Sequence, residues 1–215
     1  LDIDAASTVS CIAIYQTTAY FSIRQCSLRS TLRGLEGLIV LNHVSHGYIL
    51  NNTCSGALNG IYMWSSTLIT VAHSSLSNCY SGITIGDSTF ITLDNNTCFA
   101  NADFDIQLYH ARENSVIYNT CSSPLGNIEL DCSSDNIVAN NSLNGGGLWL
   151  VGLTPSESRQ TLVAGNTVGA KPLLFWQDQV GGTLPGGFGQ AVLVNCSQTT
   201  IQNATVVGCY AGTAL

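Results

Sequence analysis

Five aspartates, Asp94, Asp103, Asp105, Asp131 and Asp135, fall within one stretch of the chain. Grouped carboxylates are the means by which glycosidic bonds are cleaved, one group supplying a proton while another activates water or attacks the sugar. Asn, Ser and Asn-Thr turns surround these aspartates, so solvated turn positions are the preferred reading. The histidines offer less. His43 and His46 form "HVSH", with His73 and His110 elsewhere. Residues three apart on a strand face opposite sides, so a joint metal site would require the segment to turn. Surface imidazoles are the simpler reading. The nine cysteines are Cys11, Cys26, Cys54, Cys79, Cys98, Cys121, Cys132, Cys196 and Cys209. None forms a CxxC pair or a Cys/His cluster with zinc spacing, so no metal and no cofactor is expected.

The elements that must hold these residues follow from a repeat. Ile83, Ile85, Leu93 and the turn Asn95-Asn96-Thr97-Cys98 return as Ile106, Leu108, Ile117 and Asn119-Thr120-Cys121. Short alternating strands are predicted to begin at Ile12, Leu38, Ile61, Ile83, Ile106, Ile128, Leu148, Leu173 and Ala191, a spacing within the window of solenoid repeats. A strand alternates faces with period two. The pairs Ile61 and Met63, Ile83 and Ile85, Ile106 and Leu108, Ile128 and Leu130, and Leu148 and Leu150 therefore point inward. β-Branched residues with Gly, Ser, Asn and Thr punctuation favour strands over helices throughout. Each coil buries its apolar residues only by stacking on its neighbours. The predicted fold is all-β, a single-stranded parallel β-helix of about nine coils forming one domain over residues 1–215. Longer loops are expected near 151–161 and 177–190.

Four columns follow. Asn52, Asn96, Asn119 and Asn141 are expected to form a ladder at one corner, because asparagine tolerates left-handed backbone and its amide bonds to neighbouring backbone. Cys54, Cys79, Cys98 and Cys121 are expected in one turn column about 4.8 Å apart, as buried thiols or as pairwise disulfides. Alternation places Tyr62, Trp149 and Leu174 in one outward column and Tyr15, Trp64, Tyr109 and Trp176 in the next. Large rings on a solvent face mark contact with a protein or a sugar, unless later loops of the same chain cover them.

The "G-I-x-I…I-x-x-N-N-T-C" pattern, from about Cys11 to Cys209, resembles the right-handed parallel β-helix proteins of the carbohydrate-binding and sugar-hydrolase type, including periplasmic NosD-like proteins. That resemblance implies a right-handed coil. It also implies functions ranging from sugar lyases and hydrolases to structural repeats. Against a polygalacturonase-like enzyme stands the absence of an adjacent Asp-Asp pair, of Gly-His-Gly and of Arg-Ile-Lys. Against a pectate-lyase-like one stands the lack of lysine or clustered arginine on a shared face. A NosD-like copper role finds no recognisable ligand set among the histidines. The chain is therefore expected to lean away from catalysis. If it is an enzyme, a polysaccharide lyase or glycoside hydrolase is the expected class.

Composition bounds the partners. Charged residues make up 9% of the chain against 45% hydrophobic, and six basic face thirteen acidic residues. This balance excludes a disordered chain and argues against nucleic acid or an anionic membrane surface. No apolar run reaches the length of a membrane helix. The cysteine density and the absence of a signal-like start suggest a mature extracellular or cell-surface protein. Asn51, Asn95, Asn140, Asn195 and Asn203 each open an N-x-[ST] sequon. Turn geometry explains several of them, and glycans would otherwise line one edge. Neither end reads as a polar cap. The expectation is thus a structural subunit that joins copies of itself head to tail into a filament or surface layer. A carbohydrate-binding or polysaccharide-cleaving β-helix is the alternative, and a module of a larger surface adhesin is another.

Overall fold

The computed structural model describes residues 2–5, 10–30 and 36–206, so Cys209 lies outside the described residues. The chain winds as a right-handed parallel β-helix with three faces. On the first face Ile12–Thr17, the leading half of Ile39–Leu50, Asn59–Trp64, Ser81–Gly86, Phe104–Tyr109, Gly126–Asp131 and Leu148–Val151 stack in parallel. The second face holds Phe21–Arg24, the trailing half of Ile39–Leu50, Thr67–Ala72, Thr92–Asp94, Ser115–Ile117, Ile137–Ala139 and Leu162–Ala164. The third runs from Asp2–Ala5 through Ser27–Ser30, Thr53–Ser55, Ser75–Ser77, Thr97–Phe99, Thr120–Cys121 and Ser142–Leu143 to Thr167–Val168.

Apolar residues of each face meet in register. On the first, Ile39, Ile61, Ile83, Ile106, Ile128 and Leu148 form one inward column and Leu41, Met63, Ile85, Leu108, Leu130 and Leu150 the next. All are buried, as the alternation predicts. Ile49, Val71, Leu93, Val116 and Val138 enter from the second face. The result is one continuous core from Ile23 to Val194. Each fully buried aliphatic side chain contributes about 1.5–3 kcal/mol, and none could be covered without the coils above and below it.

Two expectations need correction here. The seven strands of the first face span six complete turns, fewer coils than nine. Regular winding stops at Thr167–Val168, where the turn at Gly169 and Ala170 sends Lys171–Gln177 back antiparallel, before it pairs in parallel with Gln190–Val194. The cysteine column is also mixed: Leu28, Cys54, Leu76, Cys98, Cys121, Leu143 and Val168 occupy one register on the third face. Leu76 stands where Cys79 was expected. Ser75–Ser77 ends before Cys79, whose N–H donates to Asn101 Oδ1 (3.1 Å) at the following corner.

The corner between the second and third faces shows why asparagine recurs. Gln25, Asn51, His73, Asn95, Tyr118, Asn140 and Gly165 all have φ between 52° and 67°. The residue after each points inward. The N–H of Cys26 donates to Asn52 Oδ1, that of Asn52 to Ser74 Oγ, and that of Ser74 to Asn96 Oδ1, at 3.0, 3.2 and 3.0 Å. Asn96, Asn119 and Asn141 continue the series to Asn119, Asn141 and Asn166 at 2.9, 2.8 and 2.9 Å. Each amide also donates back to the preceding coil, Asn119 Nδ2 to the Leu93 carbonyl at 2.9 Å for example. Buried backbone groups at a bend lack ladder partners, and leaving one unpaired costs about 1–3 kcal/mol. A second ladder through Asn114, Asn136 and Gln160 serves the corner between the first and second faces.

Candidate functional site

The outward side of the first face differs from the rest of the surface. Its outer positions form two columns, Val40, Tyr62, Thr84, Gln107, Glu129 and Trp149, and beside them Tyr15, Asn42, Trp64, Gly86, Tyr109, Asp131 and Val151. Tyr62 and Trp64 stack with centroids 6.2 Å apart at 19°, and Trp64 stacks on Tyr109 at 6.1 Å and 29°. The last pair spans two coils. It meets because Gly86 lies between them: a Cβ there would stand 2.1 Å from the Trp64 ring. Gly126 plays the same part for Phe104, whose ring covers it and meets Trp149 edge-on at 5.5 Å and 70°. His110 stands edge-on to Tyr109 at 4.2 Å.

Carboxylates lie within this aromatic field. Glu129 is the register partner of Gln107 and Trp149, and Asp131 that of Tyr109 and Val151. Gln107 donates its amide to Glu129. Burial raises the Glu129 carboxyl above its ordinary range, the Gln107 bond opposes the rise, and the charges of Asp131 and Asp103 add to it. Burial raises Asp103 as well. Burial foremost, with Glu36 and Asp87, raises the Tyr62 phenol. Among the described residues, the outward positions of this face from Ala13 to Val151 hold rings, amides, hydroxyls and carboxylates but no lysine or arginine.

Not every predicted site residue joins this face. Tyr15 is exposed, with Asn42 between it and Trp64. Trp176 and Leu174 leave it altogether. They pack with Leu184, Phe188 and Leu193 in a separate apolar cluster formed by the loop that follows them, so the chain itself covers Trp176. The loop at 151–161 carries a single helical turn, Pro155–Ser158, started by Thr154, whose N–H Glu157 accepts at 2.9 Å. Asp105 is no solvated turn residue. It is fully buried and accepts hydrogen bonds from Asn101 Nδ2 (2.8 Å), the Ser123 N–H (2.9 Å), the Ser123 hydroxyl and Asn127 Nδ2 (3.2 Å). Burial still raises its carboxyl, against those four bonds. Asp94 ends a strand of the second face, and Asp135 is an exposed left-handed corner residue.

Metal-ligating residue types are dispersed. His43, His46, His73 and His110 occupy left-handed corner positions. Among the described residues no three His, Cys, Asp or Glu side chains could hold one metal ion. Cys54, Cys98 and Cys121 are buried thiols, and Met63 is buried in the core. Burial pushes Cys54 above the usual thiol range, and the Cys98 thiol together with burial raises Cys121, the reverse of what a thiolate ligand requires. Among the described residues, these groups do not fit a copper site. Sequence reasoning missed Glu129, Gln107 and Phe104. A glycine at an outward strand position beside a ring, as at Gly86 and Gly126, was the signal that could have found this face.

Solved structures share the fold. XylC with xylose aligns with a TM-score of 0.53 at 17% identity, covering 60% of this chain and 21% of that one. DFA-IIIase from Arthrobacter chlorophenolicus A6 in complex with GF2 aligns with a TM-score of 0.54 at 14% identity, covering 82% of this chain and 53% of that one. The present chain thus spans about half the latter's length and a fifth of the former's. A search of curated proteins finds no match. The sequence model of one family, described as periplasmic copper-binding protein (NosD), matches residues 7–171, most of the described coils, and the chain belongs to that family.

Proposed function

We propose that the outward side of the first face binds neutral carbohydrate. The observation that carries this reading is the ring array Tyr62, Trp64 and Tyr109 beside half-buried Glu129, with Trp149 one coil beyond. Aromatic faces supply flat apolar area for sugar rings, and amide and carboxylate oxygens accept their hydroxyls. From the Tyr62 coil to the Trp149 coil is four steps of about 4.8 Å, roughly 19 Å, room for several sugar units. With carboxylates and, among the described residues, no cation, this face repels uronate and sulfated chains. The xylose named with XylC accords with this reading, as does a non-cytoplasmic setting for a family described as periplasmic.

End-to-end assembly draws less support. The Leu148 N–H and carbonyl, on the last regular coil of the first face, are taken by the Gln190 side chain at 2.9 and 2.7 Å. Lys171 and Pro172 pair with Thr167–Val168.

A second reading, cleavage, is favoured by the raised Glu129 carboxyl, the kind of group that donates a proton to a leaving oxygen at mild pH. Binding to an array of neutral and uronate oligosaccharides, followed by assay of released reducing ends, tests both. Retention of neutral glycans alone supports the proposal, and an array blank for neutral glycans overturns it. Glu129→Gln that abolishes release while preserving retention establishes cleavage.

A further inference from the structure

We propose that Asn51, Asn95 and Asn140 are N-glycosylated and that their glycans form a single stripe along the corner between the second and third faces. All three open N-x-[ST] sequons, are exposed, and occupy the same left-handed position. Their register is carried from coil to coil by the backbone: the N–H of Asn51 donates to the Ala72 carbonyl, that of His73 to Asp94, and that of Asn95 to Ile117. The modifiable residues therefore fall on alternate coils, with His73 and Tyr118 between them, about 9–10 Å apart at two coil steps. That spacing leaves bulky substituents side by side without clash.

The fold also sorts asparagines into two sets. The ladder residues Asn52, Asn96, Asn119 and Asn141 are buried, and two residues after each comes an inward Cys or Leu, so none opens an N-x-[ST] sequon. Every asparagine that opens one is exposed. Asn195 stands apart from the stripe because its Nδ2 donates to Asp178 Oδ1 at 2.7 Å. Modification at the stripe thus leaves the hydrogen-bonded corner intact. This corner is the vertex opposite the first face of a three-sided coil, so the stripe leaves the aromatic face open. In a chain with 9% charged residues, such a coat supplies the hydration that ionic side chains do not.

In the transfer step the side-chain amide nitrogen bonds to the anomeric carbon of a polyprenyl-diphosphate-linked oligosaccharide. The bond from that carbon to phosphate oxygen breaks, the polyprenyl diphosphate leaves, and the amide nitrogen loses one proton. Protein isolated from its source, analysed by intact mass and by electron-transfer fragmentation of its peptides, tests the inference. Glycan mass on Asn51, Asn95 and Asn140, with the adjacent Asn52, Asn96 and Asn141 bare, is the expected result. Unmodified peptides at all three positions overturn it. Thr53→Ala, Thr97→Ala and Ser142→Ala, expressed in the same source, should each remove one glycan mass and keep the β-sheet circular dichroism. Loss of none, with the masses retained, would place the glycans elsewhere and contradict the stripe.

Discussion

The inner corner of the coil and the outer side of its first face are built from the same rungs under opposite demands. At the corner, Asn52, Ser74, Asn96, Asn119, Asn141 and Asn166 hand hydrogen bonds from coil to coil, and each rung must present an acceptor to the rung before it. The chemistry hardly changes along the axis. On the first face, the column Tyr62, Thr84, Gln107, Glu129 and Trp149 changes residue type at every step. Nothing in the backbone asks for that variety, since outward positions are free of the core. Repetition in this molecule reports what the fold needs, and local departures from it report what the surface does.

The comparison breaks most visibly at the ladder. Asn119→Ala removes the acceptor for the Asn96 N–H and for Asn96 Nδ2, and it leaves the Leu93 carbonyl without its donor. At about 1–3 kcal/mol per unsatisfied buried group, the expected loss is on the order of 3 kcal/mol or more, measured by denaturant titration. Sugar affinity of the remaining folded protein should be unchanged. Trp64→Ala should do the opposite. Its ring is partly exposed on the sheet surface, so stability should fall by less than about 1 kcal/mol while affinity for a neutral oligosaccharide falls about tenfold or more. Gly86→Ala sharpens the contrast, because the added Cβ displaces the Trp64 ring from Tyr109 without touching the core. A loss of a few-fold in affinity is expected by calorimetric titration.

Acidity gives the smallest effect, and it acts through carboxylates, which the amides and hydroxyl of the ladder lack. The folded-state carboxyl of Glu129 is raised above its unfolded value. Between the two values the folded protein binds the proton more readily, so stability declines as pH rises through that window and is recovered on mild acidification. Unfolding midpoints recorded from neutral to mildly acid pH should therefore rise as pH falls. Glu129→Gln should flatten the part of this slope due to the face, leaving the contribution of buried Asp105, which has the same sign.

Much of the core was legible because strand alternation is a local signal: Ile61, Met63, Ile83 and Ile85 are buried as their spacing implies. The Asn ladder was legible for the same reason, although Ser74 substitutes in one rung and Asn166 extends it. Cys79 was misplaced because one coil carries its inward residue as Leu76, and spacing alone cannot separate a turn cysteine from a strand cysteine one corner away. The end of the regular coils was hidden because the reversal at Gly169 and Ala170 preserves the apolar spacing while changing strand direction, which also sends Trp176 under its own loop. Glu129 escaped notice because its importance lies in cross-strand neighbours, Gln107 and Trp149, that sit some twenty residues away in sequence. Asp105 was taken for a solvated residue because two of its three partner residues, Ser123 and Asn127, come from the next coil, some twenty residues away in sequence.

The most direct test of sugar binding on the first face uses tryptophan emission. Replacing Trp149 and Trp176 by phenylalanine leaves Trp64 as the sole tryptophan of the chain. Titration with a neutral oligosaccharide retained on the glycan array should then give a saturable shift in emission whose midpoint moves a few-fold to higher sugar concentration in Gly86→Ala. Emission unchanged at saturating sugar, with binding still detected by calorimetry, would place the ligand elsewhere and contradict the assignment of this face.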